Sequence, residues 1–340
     1  MSHRKGEPEL KFHPLDLDDC ACQFQRLAVV LAGLDVGLFD VLSKQPLTLS
    51  QLADALAIPA GRLQTLTEAL RSLNYLIPDS NDPSRLSCHG EARRFLASDS
   101  PESRTRELRR LVRLVRGWSW LGEVVRRDQP RFVGSLATTG SPSAVTHQSL
   151  AQRGRRFGRL LCQRLPLDRC STALDLGGGL GGYAMALLDA RPQLQVTLFD
   201  RPDVVQAAAL ALAEEGFTEG IAYVGGDLMG PLPEGPFDLV LLANVLHLFS
   251  PAVASDLIAR SARQVALGGH LVVRDSMLEP DGGPEAAVLF AVHMAVFSDR
   301  PRLYRTEEIA DMIRHVGLSP QEPFRPSPEQ EGAIVIACRP

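Results

Sequence analysis

From Cys20 to about Leu42 the apolar residues Phe24, Leu27, Ala28, Leu31, Leu34 and Leu38 recur every three or four positions, the spacing of one helical face. Ser50 then offers an N-cap for a helix starting at Gln51, and Pro59-Ala60-Gly61 interrupts it before a second helix that runs through Leu73. "NYLIPDSNDPSRLS" sets two short apolar runs around a polar turn and predicts a small hairpin. Helix, turn, helix and hairpin in this order form a winged-helix pattern. Residues 104–127 carry eight arginines and two glutamates. Leu108, Leu111, Val112, Val115 and Trp118 draw an apolar stripe there, with Arg109, Arg113 and Arg116 beside or opposite it. The stretch from Pro130 to Pro142 is rich in Gly, Ser and Thr and predicts a loop, and a helix follows from about Ser143 to Leu165.

After Cys170 the period changes. "TALDL", "LQVTLFD", "IAYVGGD", "FDLVLLA" and "HLVVRDSM" are short apolar runs separated mostly by helical stretches. Each run is apolar on consecutive positions, as a strand covered on both faces requires, so the alternation predicts an α/β fold with a mostly parallel sheet. Ligands bind such sheets beyond the carboxyl ends of the strands. That rule gathers Asp175, Asp200, Asp227, His247 and Asp275 at one edge.

"LDLGGGLGGY" connects the first run to a helix, and Gly177, Gly179 and Gly182 satisfy the G-x-G-x-x-G spacing of a dinucleotide-binding turn. Asp175 decides between ligands. A carboxylate inside the loop repels a pyrophosphate brought onto the helix N-terminus. The same carboxylate suits a ligand with a cationic amino-acid end, and S-adenosylmethionine carries both an ammonium and a sulfonium. Asp200, ending the second strand, is placed to accept from two ribose hydroxyls, and Asp227, after the third, stands where an adenine edge lies.

Composition narrows the partners. Net charge is −4 and hydrophobic residues make up 45% of the chain, so no global field favours nucleic acid or an anionic membrane. The predicted second helix of the winged pattern has Arg62 and Arg71 against Glu68 and otherwise apolar or small residues. A groove-reading helix needs a basic, polar face, so this helix is expected to be buried and a DNA-binding regulator is the distant alternative. No apolar run reaches the ~18 residues of a membrane span, and no secretory leader follows Met1. The six cysteines, none in C-x-x-C spacing, read as reduced thiols, and the expected location is cytoplasmic.

With these residues in view, the chain resembles the two-domain small-molecule O-methyltransferases, similar to plant caffeate and acetylserotonin methyltransferases and their bacterial relatives. The resemblance rests on the winged-helix segment, "LDLGGGLGGY", "LFDRPDVVQAA", "VGGDLMGPLPEGPFDLVLLANVLHLFS", "LGGHLVVRDSML" and "RTEEIADMIRHVGL". It implies a Rossmann-like class I methyltransferase domain with an antiparallel C-terminal strand, preceded by a mainly helical winged-helix dimerisation domain. The expected divisions are 1–105 for dimerisation, 106–165 for connecting helices lining the substrate cavity, and 166–340 for the S-adenosylmethionine-binding catalytic domain. The expected partners are a second copy of the chain and a small-molecule methyl acceptor.

The resemblance further implies a donor site of Asp175, Gly177, Gly179, Asp200, Arg201, Asp227 and Leu228. His247 takes the place of the general base that removes a hydroxyl proton, and Asp275 that of the acid which orients it. Trp118, Trp120, His147, Phe290, His293, Met294 and Phe297 are candidates for the acceptor pocket. Two positions depart from the family pattern: Leu248-Phe249 replaces the usual Asp-Trp after the histidine, and Tyr304 replaces a glutamate before "RT".

An alternative chemistry uses the same neighbourhood. Some similar chains bind a metal through two histidines and methylate the carbon beside the ketone of a 2-oxo acid. His247, Asp275 and His293 supply an N/O ligand set suited to zinc or iron, and the metal would stabilise an enolate as a Lewis acid. An arginine of the 104–127 segment would then grip the carboxylate, since guanidinium matches it bidentately.

Overall fold

The computed structural model describes residues 17–127, 144–298, 302–326 and 332–340; the side chains of 106, 107, 109, 110, 113 and 144–150 lie outside that description. The predicted loop from Pro130 to Pro142 also lies outside it. The chain divides into two compact units, Met1–Arg116 and Gly117–Pro340.

The first unit is mainly helical. Its elements are α1 (Leu17–Asp35), α2 (Leu38–Leu42), α3 (Leu49–Leu56), α4 (Ala60–Ser72), β1 (Leu76–Pro78), β2 (Leu86–Cys88), α5 (Gly90–Leu96) and α6 (Thr105–Trp118), which ends just past the division. Gly37, in the left-handed region at φ 77°, breaks the long helix expected from Cys20 to Leu42 into α1 and α2. The cap of α3 is not Ser50 but Thr48, whose hydroxyl accepts from the Gln51 N–H while Gln51 accepts in return from the Thr48 N–H. That reciprocal capping box outcompetes the later serine. β1 and β2 pair antiparallel, as the hairpin pattern predicts. Leu34, Leu38, Phe39, Leu52, Leu63 and Leu70 form the centre of this unit's core. The expectation that α4 is buried holds for one side only. Leu63, Thr67 and Leu70 face inward, whereas Arg62, Gln64, Glu68 and Arg71 are exposed.

The second unit begins with α7 (Leu121–Arg127) and α8 (Ala144–Cys162) and continues as a sheet protein. Along the chain come β3 (Thr172–Leu176), α9 (Gly182–Ala190), β4 (Gln195–Asp200), α10 (Pro202–Glu214), β5 (Ile221–Gly225), β6 (Phe237–Ala243), α11 (Pro251–Arg263) and β7 (Val265–Leu278). There follow α12 (Glu285–Phe297), β8 (Tyr304–Arg305), α13 (Thr306–His315), β9 (Ser319–Pro320) and β10 (Gly332–Cys338). The sheet order is β5-β4-β3-β6-β7-β10-β9, with β8 paired to β7. The first five strands run parallel, and β10 is antiparallel to β7.

One face of the sheet is covered by α8, α9 and α10 through Phe157, Leu161, Tyr183, Leu187 and Leu212. The other is covered by α11 and α13 through Leu257, Ile258, Ile309 and Ile313. The order in which strands are added changes side between β3 and β6, which are parallel neighbours in space but far apart in sequence. This is the switch point at which an open α/β sheet leaves a crevice.

Candidate active site

The ends of β3 and β6 carry the two halves of the site. β3 ends in Leu176, and the loop turns at once through Gly177 and Gly179, whose φ values of 72° and 56° only glycine adopts without strain. Val245 and Leu228 close around Gly177. The backbone N–H of Gly179 donates to Asp200 Oδ2 at 2.9 Å, so the acid ending β4 also pins the loop ending β3. The other Asp200 oxygen accepts from the Arg201 N–H at 2.7 Å. Asp227 lies two residues beyond β5 and accepts from the Met229 N–H at 2.9 Å. Arg260 of α11 donates to the carbonyls of Leu228 and Gly230, at 2.7 and 2.8 Å, and holds that loop in place.

Asp175 is the anomaly of the site. It is 1% exposed, and among the described residues neither of its oxygens has a hydrogen-bond partner. Burial, and secondarily the charge of Asp200, push its carboxyl up to about 7. A buried, unpaired carboxylate is costly, so the position makes sense when a cationic or donor group is brought to it. The residues fit a ligand with an ammonium group over a glycine loop, beside two further acids at strand ends.

His247 sits in a single 3-10 turn after β6 and is 8% exposed. Its Nδ1 lies 2.6 Å from Asp275 Oδ1, and its backbone N–H donates to Asp275 Oδ2 at 3.1 Å. Asp275 Oδ1 also accepts from the Ser276 N–H at 2.7 Å. Burial alone would raise the Asp275 carboxyl; the His247 ring, its two hydrogen bonds and the Arg274 charge outweigh that and hold it below the usual range. An ionised Asp275 accepts the proton of Nδ1, which leaves the lone pair of the neutral ring on Nε2. The two departures from the family pattern meet here. Tyr304, fully buried, donates its hydroxyl to the Phe249 carbonyl at 2.7 Å and braces the turn that carries His247. Leu248 is exposed beside it.

A row of rings extends from His247. Phe290 meets its ring edge-on at 5.3 Å between centroids, His293 stacks on Phe290 at 6.0 Å, and Phe297 and Trp118 flank His293 at 4.7 and 6.5 Å. Met294 is buried on the same helix, α12.

The structure thus brings together Asp175, Gly177, Gly179, Asp200, Asp227 and Leu228 at the loop, and His247, Asp275, Phe290, His293, Phe297 and Trp118 at the base. Other candidates stand apart. The Arg201 guanidinium is engaged by Asp203, at 2.7 and 3.1 Å. Trp120 is 39% exposed. His147, Arg109 and Arg113 fall outside the described side chains, and Arg116 is exposed near Asp35. The alternative metal set of His247, Asp275 and His293 finds no support. Among the described residues no group of three or more His, Cys, Asp or Glu is arranged to hold a metal. His247 directs Nδ1 at Asp275, and His293 packs among Phe290, Phe297 and Trp118. The sequence reading passed over Arg274, a charge inside the apolar run "HLVVRDSM", and Tyr183, the first large side chain after the glycines. Both are buried polar residues whose presence in apolar stretches was the available signal.

The comparisons decide the family. Residues 137–319 match the model of the O-methyltransferase domain. The chain belongs to the O-methyltransferase family. It is 28% identical over 305 residues to acetylserotonin O-methyltransferase of Rattus norvegicus, covering 86% of this chain and 69% of that one. It is 26% identical over 316 residues to the tetracenomycin polyketide synthesis 8-O-methyl transferase of Streptomyces glaucescens, covering 90% and 91%. The fold is shared with human N-acetylserotonin methyltransferase, solved in complex with SAM, at a TM-score of 0.67 and 24% identity over 98% of this chain and 99% of that one. The chain is thus an S-adenosylmethionine-dependent O-methyltransferase by family. Among the described residues no helix is long and apolar enough to cross a membrane.

Proposed function

We propose that this O-methyltransferase methylates a hydroxyl of a small, ring-containing secondary metabolite, with His247 as the general base. One observation carries the reading: a buried His247–Asp275 pair opens on one side to a row of rings and stands, through Val245, against the glycine loop of Asp175. When bound, S-adenosylmethionine supplies a methyl group activated by its sulfonium. Asp175 and the loop fix the amino-acid end, Asp200 the ribose, and Asp227 with Leu228 the adenine. Nε2 of His247 takes the acceptor's hydroxyl proton as the oxygen bonds to the methyl carbon and that carbon's bond to sulfur breaks, leaving S-adenosylhomocysteine, and Asp275 stabilises the resulting imidazolium. Phe290, His293, Phe297 and Trp118 pack against the acceptor ring. Holding nucleophile and methyl group in line supplies much of the acceleration, and the base contributes about 10²–10⁴-fold.

The relatives with printed activities support a polyketide or aryl-type acceptor: besides the tetracenomycin enzyme, a 3-hydroxy-5-methyl-1-naphthoate 3-O-methyltransferase matches over 97% of this chain. The test is a panel of phenols and hydroxylated polycyclic compounds, assayed for methyl transfer by mass spectrometry with wild type and His247→Ala. Methylation of an oxygen that collapses in the variant supports the reading, whereas methylation of a carbon or nitrogen overturns it.

The first unit fits a winged-helix homodimerisation role, as the sequence resemblance implies. α1 leaves Leu17 and Phe24 exposed, and a cleft of about 470 Å³ is lined by Leu27, Val30, Leu73, Tyr75, Leu96 and Leu108 together with Gln23 and Arg26. The exposed apolar side chains and the largely apolar lining are suited to a second copy. Light scattering of the full chain tests it, with a monomer at micromolar concentration as the opposing result.

A further inference from the structure

Arg274 lies within β7 and is 2% exposed. Burying a full charge there is expensive unless it is paired. The Phe157 ring of α8 covers its guanidinium at 4.6 Å, and Nη1 donates to the Asn244 side-chain oxygen. Among the described residues no carboxylate pairs with it, and Nη2 has no hydrogen-bond partner. The hydroxyl of Tyr183, a residue 5% exposed in the first turn of α9, is likewise without a partner. Its environment includes Arg274, Asp175, Asp275 and Arg153, all within electrostatic reach. β10 has made room for the guanidinium: a Cβ added at Gly332 would come within 2.2 Å of Nη2.

Strand register places these groups relative to Asp175. Asp175 pairs with Leu241, and Leu241 with Val272. Arg274 stands two residues beyond Val272 and so faces the same side of the sheet as Asp175. With strands ~4.8 Å apart and a rise of ~3.3 Å per residue, the two Cα atoms are separated by roughly 12 Å. One face of the sheet therefore offers an unpaired acceptor at β3 and two unpaired donors near β7 and α9. An anion with a neighbouring cation matches that pattern, and an α-amino acid carries both.

We propose that Arg274 and Tyr183 hold the carboxylate of the methyl donor's amino-acid end, whose ammonium meets Asp175. This rests on the donor site described above and adds to it the residues that recognise the carboxylate. A guanidinium and a carboxylate form the stronger, charge-assisted class of hydrogen bond, and the Tyr183 hydroxyl supplies a second donor. Phe157 shields the contact from water and fixes the guanidinium plane.

The experiment is isothermal titration of the full chain with two probes, S-adenosylhomocysteine and 5′-methylthioadenosine, which keeps the nucleoside and sulfur but lacks the amino-acid end. Wild type should prefer S-adenosylhomocysteine. Arg274→Met, which retains an apolar stem under Phe157, should lose about tenfold or more of the affinity for S-adenosylhomocysteine. Its affinity for methylthioadenosine should stay within twofold. Arg274→Lys should recover part of the loss, and Tyr183→Phe should lose several-fold. If Arg274→Met keeps the wild-type ratio of the two affinities, or weakens both probes equally, the proposal is overturned. An unchanged ratio together with a raised KM for hydroxybenzoate acceptors alone would assign the guanidinium to an acceptor carboxylate instead, which also overturns it. Failure of wild type to bind either probe would bring down the donor site itself, a separate result. Thermal unfolding checks each fold, and should Arg274→Met not fold, Tyr183→Phe carries the same comparison.

Discussion

His247 and Asp275 are joined twice, by the ring nitrogen Nδ1 to Oδ1 at 2.6 Å and by the His247 backbone N–H to Oδ2 at 3.1 Å. One carboxylate thereby fixes both the tautomer of the ring and the position of the turn that carries it. β7 is long enough for this to happen. Ala243, the last residue of β6, pairs with Arg274, so Asp275 projects just past the end of β6, level with the turn.

Asp275→Asn keeps the shape and removes the charge. The amide still accepts from the His247 N–H but no longer stabilises an imidazolium, so turnover should fall by about 10²–10³-fold. S-adenosylhomocysteine affinity should stay within about twofold, because among the described residues the hydrogen bonds that hold the glycine and Asp227 loops do not involve this residue. Steady-state kinetics with a titration of the ligand decides it. A fall in affinity matching the fall in turnover would make the pair structural.

Asp200→Ala acts in two places at once. The carboxylate supports the Gly179 N–H and is the candidate for the ribose hydroxyls. Its removal should weaken S-adenosylhomocysteine by about 30-fold or more, the loss of two or three charge-assisted hydrogen bonds. Asp200→Asn, which still accepts from Gly179, should recover part of that. Equal affinity in wild type and the alanine variant would remove Asp200 from the site.

What the sequence disclosed follows the range of the forces. The inner parallel strands were legible because strands covered on both faces are largely apolar, and "TALDL" and "FDLVLLA" match β3 and β6 residue for residue; β5, at the sheet edge, has no buried residue. The acids at strand ends were legible because topology places them. Local competition was not: Thr48 displaced Ser50 as a cap through a reciprocal bond that only coordinates reveal. The polar outer side of α4 was missed because its buried positions, three or four residues apart, set the impression of the whole helix. The fate of His293 was also hidden, since a histidine four residues from Phe297 and three from Phe290 serves a ring stack as readily as a metal. Arg274 was passed over because the strand pattern absorbed it.

That stack yields a further expectation. If His293 acts by packing, His293→Phe should keep turnover within about threefold, and His293→Ala should raise KM for an aromatic acceptor by about tenfold, the worth of a lost ring contact. Treatment with a strong chelator should leave both kcat and KM unchanged. Loss of turnover in His293→Phe, restored by added zinc or iron, would return the metal-assisted chemistry to consideration.

Asp175 gives the last prediction through pH. Burial raises its carboxyl from the ordinary value of 3.8 to about 7. Between those values the folded protein holds a proton that the unfolded chain has released, so stability falls as pH rises through the window. The full difference, reached above pH 7, is up to about 4 kcal/mol. Asp175→Asn has no such proton, and its melting temperature in the ligand-free state should rise relative to wild type as pH goes from 4 to 8. Binding a ligand with an ammonium group reverses the preference, because the ionised carboxylate then has a partner. At pH 6 the complex with S-adenosylhomocysteine should therefore release about one proton, and at pH 8 almost none. Titration calorimetry in two buffers of different ionisation enthalpy measures it directly. Heats that do not depend on the buffer at pH 6 would mean that the carboxylate keeps its proton, and that the cationic end of the ligand lies elsewhere.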